Sequence, residues 1–119
     1  MSLKTFTAAY IEAALWSSTD ESNEQGGEPL DKNYGPDDIT PDTQKQMEKD
    51  CREFYRAHNA KWSDDSYAGH DFWLTRNHHG AGFWDGDYPE PQATELTDAA
   101  NAYGSFGLYV GYDGKVHGS

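Results

Sequence analysis

The sequence predicts an α+β protein in which a small antiparallel sheet, made of two β-hairpins, carries about three helices packed on it. Three observations support this prediction. Three segments repeat apolar residues at the spacing of a helix, and two others place strand-forming residues on either side of turn residues. The chain has 119 residues, which suits a single domain spanning residues 1–119.

The first helix is expected over residues 5–17. Apolar side chains recur there every three or four positions, namely Phe6, Tyr10, Ala14, Ile11 and Leu15. Several alanines add helix propensity. Because the apolar part contains Glu12, the segment indicates an amphipathic helix packed on the core rather than a signal peptide.

A long acidic loop is predicted at about residues 18–40, where turn-forming residues dominate. From Asp20 to Asp42 the chain has eight acids and one base, Lys32, which gives a net charge of −7. Loops of this length in a small domain tend to be functional or disordered. The candidate binding residues taken from this loop are Asp20, Glu21 and Glu24.

The second helix has a clear start, with Thr40 as the cap and Pro41 at the first helical position. Its apolar stripe comprises Met47, Cys51, Phe54, Tyr55, His58 and Trp62. The position of Cys51 on this stripe indicates an inert buried thiol. Since it is the single cysteine, an intrachain disulfide and a cysteine-based zinc framework are both excluded.

A β-hairpin is predicted over residues 71–85, with strands "DFWLTRN" and "AGFWDG" meeting at His78-His79. These strands would form the hydrophobic centre against which the helices pack. One face would carry Phe72, Leu74 and Phe83, and the other Trp73 and Trp84. Since both faces are apolar, the second is either covered by another element or open as a binding surface.

The remaining elements are a short third helix and a second hairpin. The helix places apolar residues at helical spacing and ends at a glycine, in the series Leu96, Ala99, Ala100, Tyr103 and Gly104. The hairpin is "FGLYVGYDGKVHG", with strand residues on both sides of Asp113-Gly114. An Asp-Gly pair in this context is a strong hairpin signal.

The chemistry-bearing residues form no decisive catalytic motif, so no catalytic residue and no cofactor are assigned. His70, Asp71, His78, His79, Asp85 and Asp87 offer nitrogen and oxygen ligands. Their spacing matches no metal motif, and neighbouring strand residues point opposite ways, so no metal site is expected. Arg76 is expected to form a salt bridge with Asp71 or Asp85, with the binding of a ligand anion as the alternative.

The net charge of −12 bears on which partners the chain accepts. Such a chain repels nucleic-acid phosphates, so direct nucleic-acid binding is not expected. No apolar run approaches the roughly 18 residues of a membrane span, so no membrane association is expected. A protein with a basic surface is the partner that this charge favours.

Three segments resemble a family of small acidic proteins, uncharacterised in function, that bacteriophages and mobile elements encode. They are "YIEAALWSSTDESNEQGGEPLDKNY", "AGHDFWLTRNHHGAGFWDGDY" and "LTDAANAYGSFGLYVGYDGKVHG". The second segment is the most distinctive, and together they cover most of the chain. The resemblance implies a phage origin and expression in the cytoplasm of the bacterial host. It carries over no catalytic residue.

These observations favour a phage-encoded, non-enzymatic accessory protein that binds a host or phage protein, in one version by mimicking DNA with its carboxylates. The candidate binding residues beside the loop acids are Trp73, Arg76, His78, His79, Trp84 and Asp85. One alternative is a small-molecule or nucleotide binder, or an enzyme, with a pocket at the 69–87 hairpin where His70, Asp71, Arg76 and Asp85 meet. Another is a small structural or assembly component. The oligomeric state is left open.

Overall fold

The computed structural model describes residues 2–20, 27–79, 81–84 and 88–119, and every structural statement below concerns these residues. They form an α+β structure, as the sequence predicts. The elements in chain order are α1 (Leu3–Ser17), β1 (Thr19–Asp20), β2 (Glu28–Pro29), α2 (Pro41–His58), α3 (Asp65–Arg76), α4 (Gln92–Ala102), β3 (Leu108–Val110) and β4 (Val116–Gly118). Short 3-10 turns lie at Leu30–Lys32, Pro36–Asp38 and Asn59–Lys61.

Three of these helices confirm the helices that the sequence predicts. α2 begins where expected, because the Thr40 hydroxyl accepts a hydrogen bond from the Thr43 amide at 3.4 Å. α1 has a similar cap in Ser2. Just after α4, Gly104 has a φ of 75°, the left-handed conformation in which glycine commonly stops a helix.

The strands form two separate two-stranded antiparallel sheets, β1-β2 and β3-β4. The C-terminal hairpin is confirmed, since β3 and β4 pair with Tyr109 opposite His117. The outer edge of β4 is covered by the chain entering α2, where the Thr40 amide donates to the Val116 carbonyl at 2.9 Å. The prediction of one shared sheet carrying all the helices is therefore wrong among the described residues.

The predicted hairpin over 71–85 is wrong, because residues 65–76 form helix α3. Asp64 caps this helix by accepting a hydrogen bond from the Tyr67 amide at 3.1 Å. The expected turn at His78-His79 is instead the end of α3. His78 has a φ of 58°, and the His79 amide donates to the Leu74 carbonyl at 3.0 Å. This is the Schellman pattern of helix termination, with histidine in the place usually taken by glycine.

Burial explains why the helix resembled a strand in the sequence. Residues 71–76 are six consecutive buried positions, so the second half of α3 is enclosed around its whole circumference. A helix that is enclosed on all sides loses the periodic apolar stripe that identifies helices. Aromatic residues then suggested a strand, although strand propensity depends strongly on context. Residues 81–84 form turns, and 85 lies outside the described residues.

The core lies where α1, α2 and α3 meet, and aromatic rings dominate it. The rings of Phe54 and Phe72 stack with centroids 4.1 Å apart, and Phe6 and Trp62 stack at 5.3 Å. Phe83 returns to this cluster from the segment after α3, 5.8 Å from Phe54. Of the aromatic residues that the sequence assigned to the hydrophobic centre, Phe72, Trp73 and Phe83 are buried, whereas Trp84 is exposed.

Candidate functional site

Exposed carboxylates are concentrated between β2 and the first turn of α2, a stretch we call the acidic segment (residues 28–42). Its exposed acids are Glu28, Asp31, Asp37, Asp38 and Asp42. The one base in the segment, Lys32, pairs with Glu28 at 2.9 Å. The hydrogen bond from Lys32 holds the pKa of Glu28 below its usual value. The other four carboxylates have no ion pair within the described chain.

The acidic segment is anchored to the body of the protein. The side chains of Leu30 and Ile39 are buried in the core. The Leu30 amide donates to the Ser18 carbonyl at 2.9 Å, and the Thr40 amide donates to Val116. The carboxylates between these anchors, and Glu28 and Asp42 beside them in β2 and α2, are therefore displayed from a fixed frame rather than from a free loop.

The three loop acids that were predicted to bind a partner, Asp20, Glu21 and Glu24, precede the acidic segment in the chain. Asp20 is in β1 and is buried, with 6% of its surface exposed. Glu21 and Glu24 lie outside the described residues. The acids from Glu28 to Asp42 belong to the predicted acidic loop but were not chosen as candidate binding residues. The apolar residues Leu30 and Ile39 among these acids were the available sign that this part of the loop is anchored.

Two residues proposed for binding from the sequence, Trp73 and Arg76, lie in the core. Trp73 is 2% exposed, and its indole N–H donates to the Ser17 hydroxyl at 2.8 Å. Arg76 is 3% exposed and forms the salt bridge that was expected. Its partner is neither of the predicted aspartates but Asp50 of α2, at 2.8 Å.

His78, His79 and Trp84 lie at the surface, beside the C-terminal end of α3, and Trp84 is 53% exposed. The neighbouring candidate, Asp85, is outside the described residues. These surface residues remain candidates for contact with a partner.

The polar residues proposed to converge on a hairpin pocket have separate partners. His70 faces Glu12 of α1 at 3.6 Å, whereas Asp71 accepts a hydrogen bond from the Tyr88 hydroxyl at 2.7 Å. Arg76 is directed to Asp50 and Tyr10. The three side chains that the structure describes therefore do not assemble the predicted pocket.

The next features are the possible metal ligands and the one cysteine of the described part of the chain. No group of three or more His, Cys, Asp or Glu side chains there is placed to hold a metal ion. Cys51 is fully buried among apolar residues. Burial raises the pKa of its thiol, which keeps it in the unreactive protonated form.

A cavity that the sequence did not predict lies at the opposite end of α2 from the acidic segment. Its volume is about 690 Å³, and its lining residues are Ala60, Lys61, Trp62, Ser63, Asp64, Tyr67, Tyr88 and Pro89. Three of them are aromatic. Because the lining comes from the α2–α3 connection and from a segment some twenty residues further on, no local sequence pattern announces it.

Hydrogen bonds to buried carboxylates hold two of the cavity's aromatic residues. The Trp62 indole N–H donates to Asp65 at 2.9 Å, and the Tyr88 hydroxyl donates to Asp71. Burial opposes ionisation of Asp65, but hydrogen bonds from the Ser2 amide and from Trp62 outweigh it and lower its pKa. Asp65 is therefore an anion at neutral pH.

No family model, curated protein or solved structure matches the chain. Within the described ranges, none of the helices is both long enough and apolar enough to cross a membrane.

Proposed function

We propose that this protein is a non-enzymatic accessory protein that binds a basic surface of a host or phage protein through its acidic segment. The observation that carries the proposal is the anchored display of five exposed carboxylates beside a single, already paired base. Opposite charges accelerate association and set orientation in protein complexes. A fixed display also avoids the entropy cost of ordering a free loop on binding.

The distribution of charge over the surface supports local recognition rather than a general role in solubility. The outer face of α2 is mixed, with exposed bases Lys45, Lys49, Arg52 and Arg56 beside exposed acids such as Glu48 and Glu53. Lys49 and Glu53 pair there at 3.2 Å. Solubility requires charge but not its segregation. The acidic segment stands out because its excess of acids is uncompensated.

DNA mimicry is the most specific version of this proposal. In it, the carboxylates occupy a protein groove that otherwise binds phosphates. The net charge of −12 supports this version. It makes the partner a DNA-binding protein of the bacterial host, encountered in the cytoplasm.

The test compares the protein with the variant D31N/D37N/D42N in pull-downs from bacterial lysate at about 50 and 500 mM NaCl. A basic partner should be retained at low salt and released at high salt. The captured partner should bind the purified variant about tenfold more weakly than it binds the parent protein, because three exposed charge pairs together contribute roughly 1–2 kcal/mol. The matched control is E12Q/E48Q/D98N, which removes three exposed acids elsewhere on the surface.

Equal binding by the variant and the parent, or capture that does not respond to salt, would contradict the proposal. Competition with duplex DNA distinguishes the two versions of the proposal, DNA mimicry and recognition of a basic protein surface. If DNA competes with this protein for the captured partner, mimicry is supported. If the partner is basic but indifferent to DNA, the acidic segment recognises a protein surface without imitating a nucleic acid.

A further inference from the structure

We propose that the cavity between the α2–α3 connection and Tyr88-Pro89 is a binding site for an alkylammonium group. Such a group is carried by small quaternary amines and by the side chain of methylated lysine. The cavity's volume of about 690 Å³ lies in the range typical of sites for small ligands. This site and the acidic segment are separate, since residues 43–58 of α2 lie between them and span about 24 Å at about 1.5 Å per residue.

The first argument is the aromatic lining. Trp62 lies deepest, 8% exposed, with its ring stacked on Phe6, whereas Tyr67 is 64% exposed at the mouth. Tyr88 contributes from the segment that precedes α4. The faces of Trp and Tyr rings carry negative electrostatic potential and attract organic cations, and groups of such rings are a common means of recognising quaternary ammonium.

The second argument is that carboxylates lie behind two of these rings. Asp65 accepts the Trp62 indole N–H, and Asp71 accepts the Tyr88 hydroxyl. A ring whose N–H or O–H donates to an anion is polarised, so that electron density in its π-system rises. These hydrogen bonds therefore fix the rings and strengthen their attraction for a cation.

The third argument is the charge at the rim. Asp64 caps α3 with one carboxylate oxygen, and its other oxygen has no partner among the residues that the structure describes. Lys61, the one cation among the described lining residues, lies 3.5 Å from Glu95, and its ammonium contacts His58 Nδ1 at 2.9 Å. Burial and the neighbouring Lys61 lower the pKa of His58, so its neutral ring accepts this hydrogen bond.

This balance of charge selects a cation over an anion. An anionic ligand would face Asp64, with Asp65 and Asp71 close behind the rings. The cationic side chain among the described lining residues, Lys61, already lies beside Glu95. A cationic ligand meets the free oxygen of Asp64 and the polarised rings together. A neutral ligand of the same shape gains only the hydrophobic contact.

The experiment titrates the full chain with choline and follows the Trp62 indole N–H by nitrogen–proton NMR. The neutral isostere 3,3-dimethylbutan-1-ol, which has the same shape without the charge, is titrated in parallel. We expect saturable shifts for choline and an affinity for the isostere that is about tenfold weaker. A peptide containing trimethyllysine, against the same peptide with unmodified lysine, then distinguishes a protein side chain from a free amine as the source of the group.

Variants locate the site. Y67A should weaken choline binding about fivefold, whereas Y67F, which keeps the ring, should not. D64N should keep the cap of α3, because asparagine caps helices as well as aspartate does. It should nevertheless weaken choline binding, because it removes the negative charge at the rim. Y112A is the control, as Tyr112 is fully exposed in the β3–β4 turn. The proposal fails if the isostere binds as tightly as choline, if Y67A has no effect, or if no saturable shift occurs up to about 100 mM.

Discussion

Arg76 joins three helices through hydrogen bonds inside the core. From α3, its guanidinium donates to Asp50 of α2 at 2.8 Å and to the Tyr10 hydroxyl of α1 at 3.0 Å. It also donates to the carbonyl of Gly104, after α4, at 2.8 Å. Its Cζ atom lies 5.4 to 5.7 Å from the ring centroids of Phe72, Tyr103 and Phe106. Arginine suits this position because its planar fork bonds several partners at once.

The environment keeps this network in one protonation state. Burial raises the pKa of Tyr10, so its hydroxyl stays neutral and accepts from the guanidinium. Burial disfavours the charge on Arg76, but its contacts with Tyr10 and Asp50 raise the pKa of the guanidinium overall. The residue therefore has a structural role, although the sequence also permitted a ligand-binding one.

We expect Arg76→Met to lower the free energy of unfolding by about 3–5 kcal/mol, because it leaves the Asp50 carboxylate buried without its partner. The double variant Asp50→Asn/Arg76→Met should recover part of this loss, since it also removes the stranded charge. Urea denaturation measures both values. Arg56→Met on the exposed face of α2 is the control and should change stability by less than about 0.5 kcal/mol. A loss that is no larger in the core variant than in this control would contradict the assignment.

At the scale of elements, the contact between α1 and α3 depends on a glycine. A Cβ atom at Gly69 would overlap the carbonyl oxygen of Phe6 and lie 3.0 Å from the Ala9 Cβ. The two helices thus approach closely only because Gly69 has no side chain. Glycine is a poor helix former, so its presence at position 69 weakens the helical signal of this segment in the sequence.

Gly69→Ala should therefore destabilise the protein, even though alanine favours a helix over glycine by about 1 kcal/mol. Overpacking typically costs about 1–3 kcal/mol. Because the overlap at Gly69 is with a backbone carbonyl, we expect a cost in the upper part of this range and a net loss of about 1–2 kcal/mol. Thermal and urea unfolding measure the difference. Gly107→Ala is the control, because a Cβ atom there meets nothing within 4 Å. If Gly69→Ala stabilised the chain, the close approach of the helices would be disproved.

At the scale of the whole molecule, the carboxylates fall into two groups. Most are exposed, as in the acidic segment, whereas Asp20, Asp50, Asp65 and Asp71 are buried. Asp65 accepts hydrogen bonds from the Ser2 amide at 2.6 Å and from Trp62. These bonds attach the start of α1 to the connection between α2 and α3. The anionic form of Asp65 thus contributes to the stability of the assembled helices.

This contribution has a defined dependence on pH. The pKa of Asp65 is lower in the folded protein than its ordinary value of about 3.9. Its stabilisation is therefore fully present above about pH 4 and is lost as the pH falls through the folded-state value. Asp65→Asn should have a lower free energy of unfolding than the parent at pH 7. This gap in the free energy of unfolding should narrow below about pH 4.

Urea denaturation at a series of pH values between about 7 and 3 measures that gap. Asp31→Asn, an exposed acid of the acidic segment, is the matched control and should show almost no gap at any pH. A gap between Asp65→Asn and the parent that stays constant or widens in acid would contradict the assignment.

Local patterns in the sequence were sufficient to predict α1, α2, α4 and the C-terminal hairpin. Their stripes, caps and turn residues lie within a few positions of one another, as at Thr40-Pro41 and Asp113-Gly114. The sequence also predicted that Arg76 forms a salt bridge, because arginine pairs readily with carboxylates, but it named Asp71 or Asp85 as the partner and not Asp50. In all these cases the information is local or follows from the chemistry of a single residue.

Long-range packing was needed to establish α3, the partner of Arg76 and the aromatic cavity. Residues 71–76 are helical and all buried, and enclosure on every side removes the periodic pattern that would reveal a helix. Asp50 is 26 positions from Arg76, and Trp62 and Tyr88 line one cavity from distant parts of the chain. Such contacts depend on how the helices pack together, and no local pattern of residues specifies that.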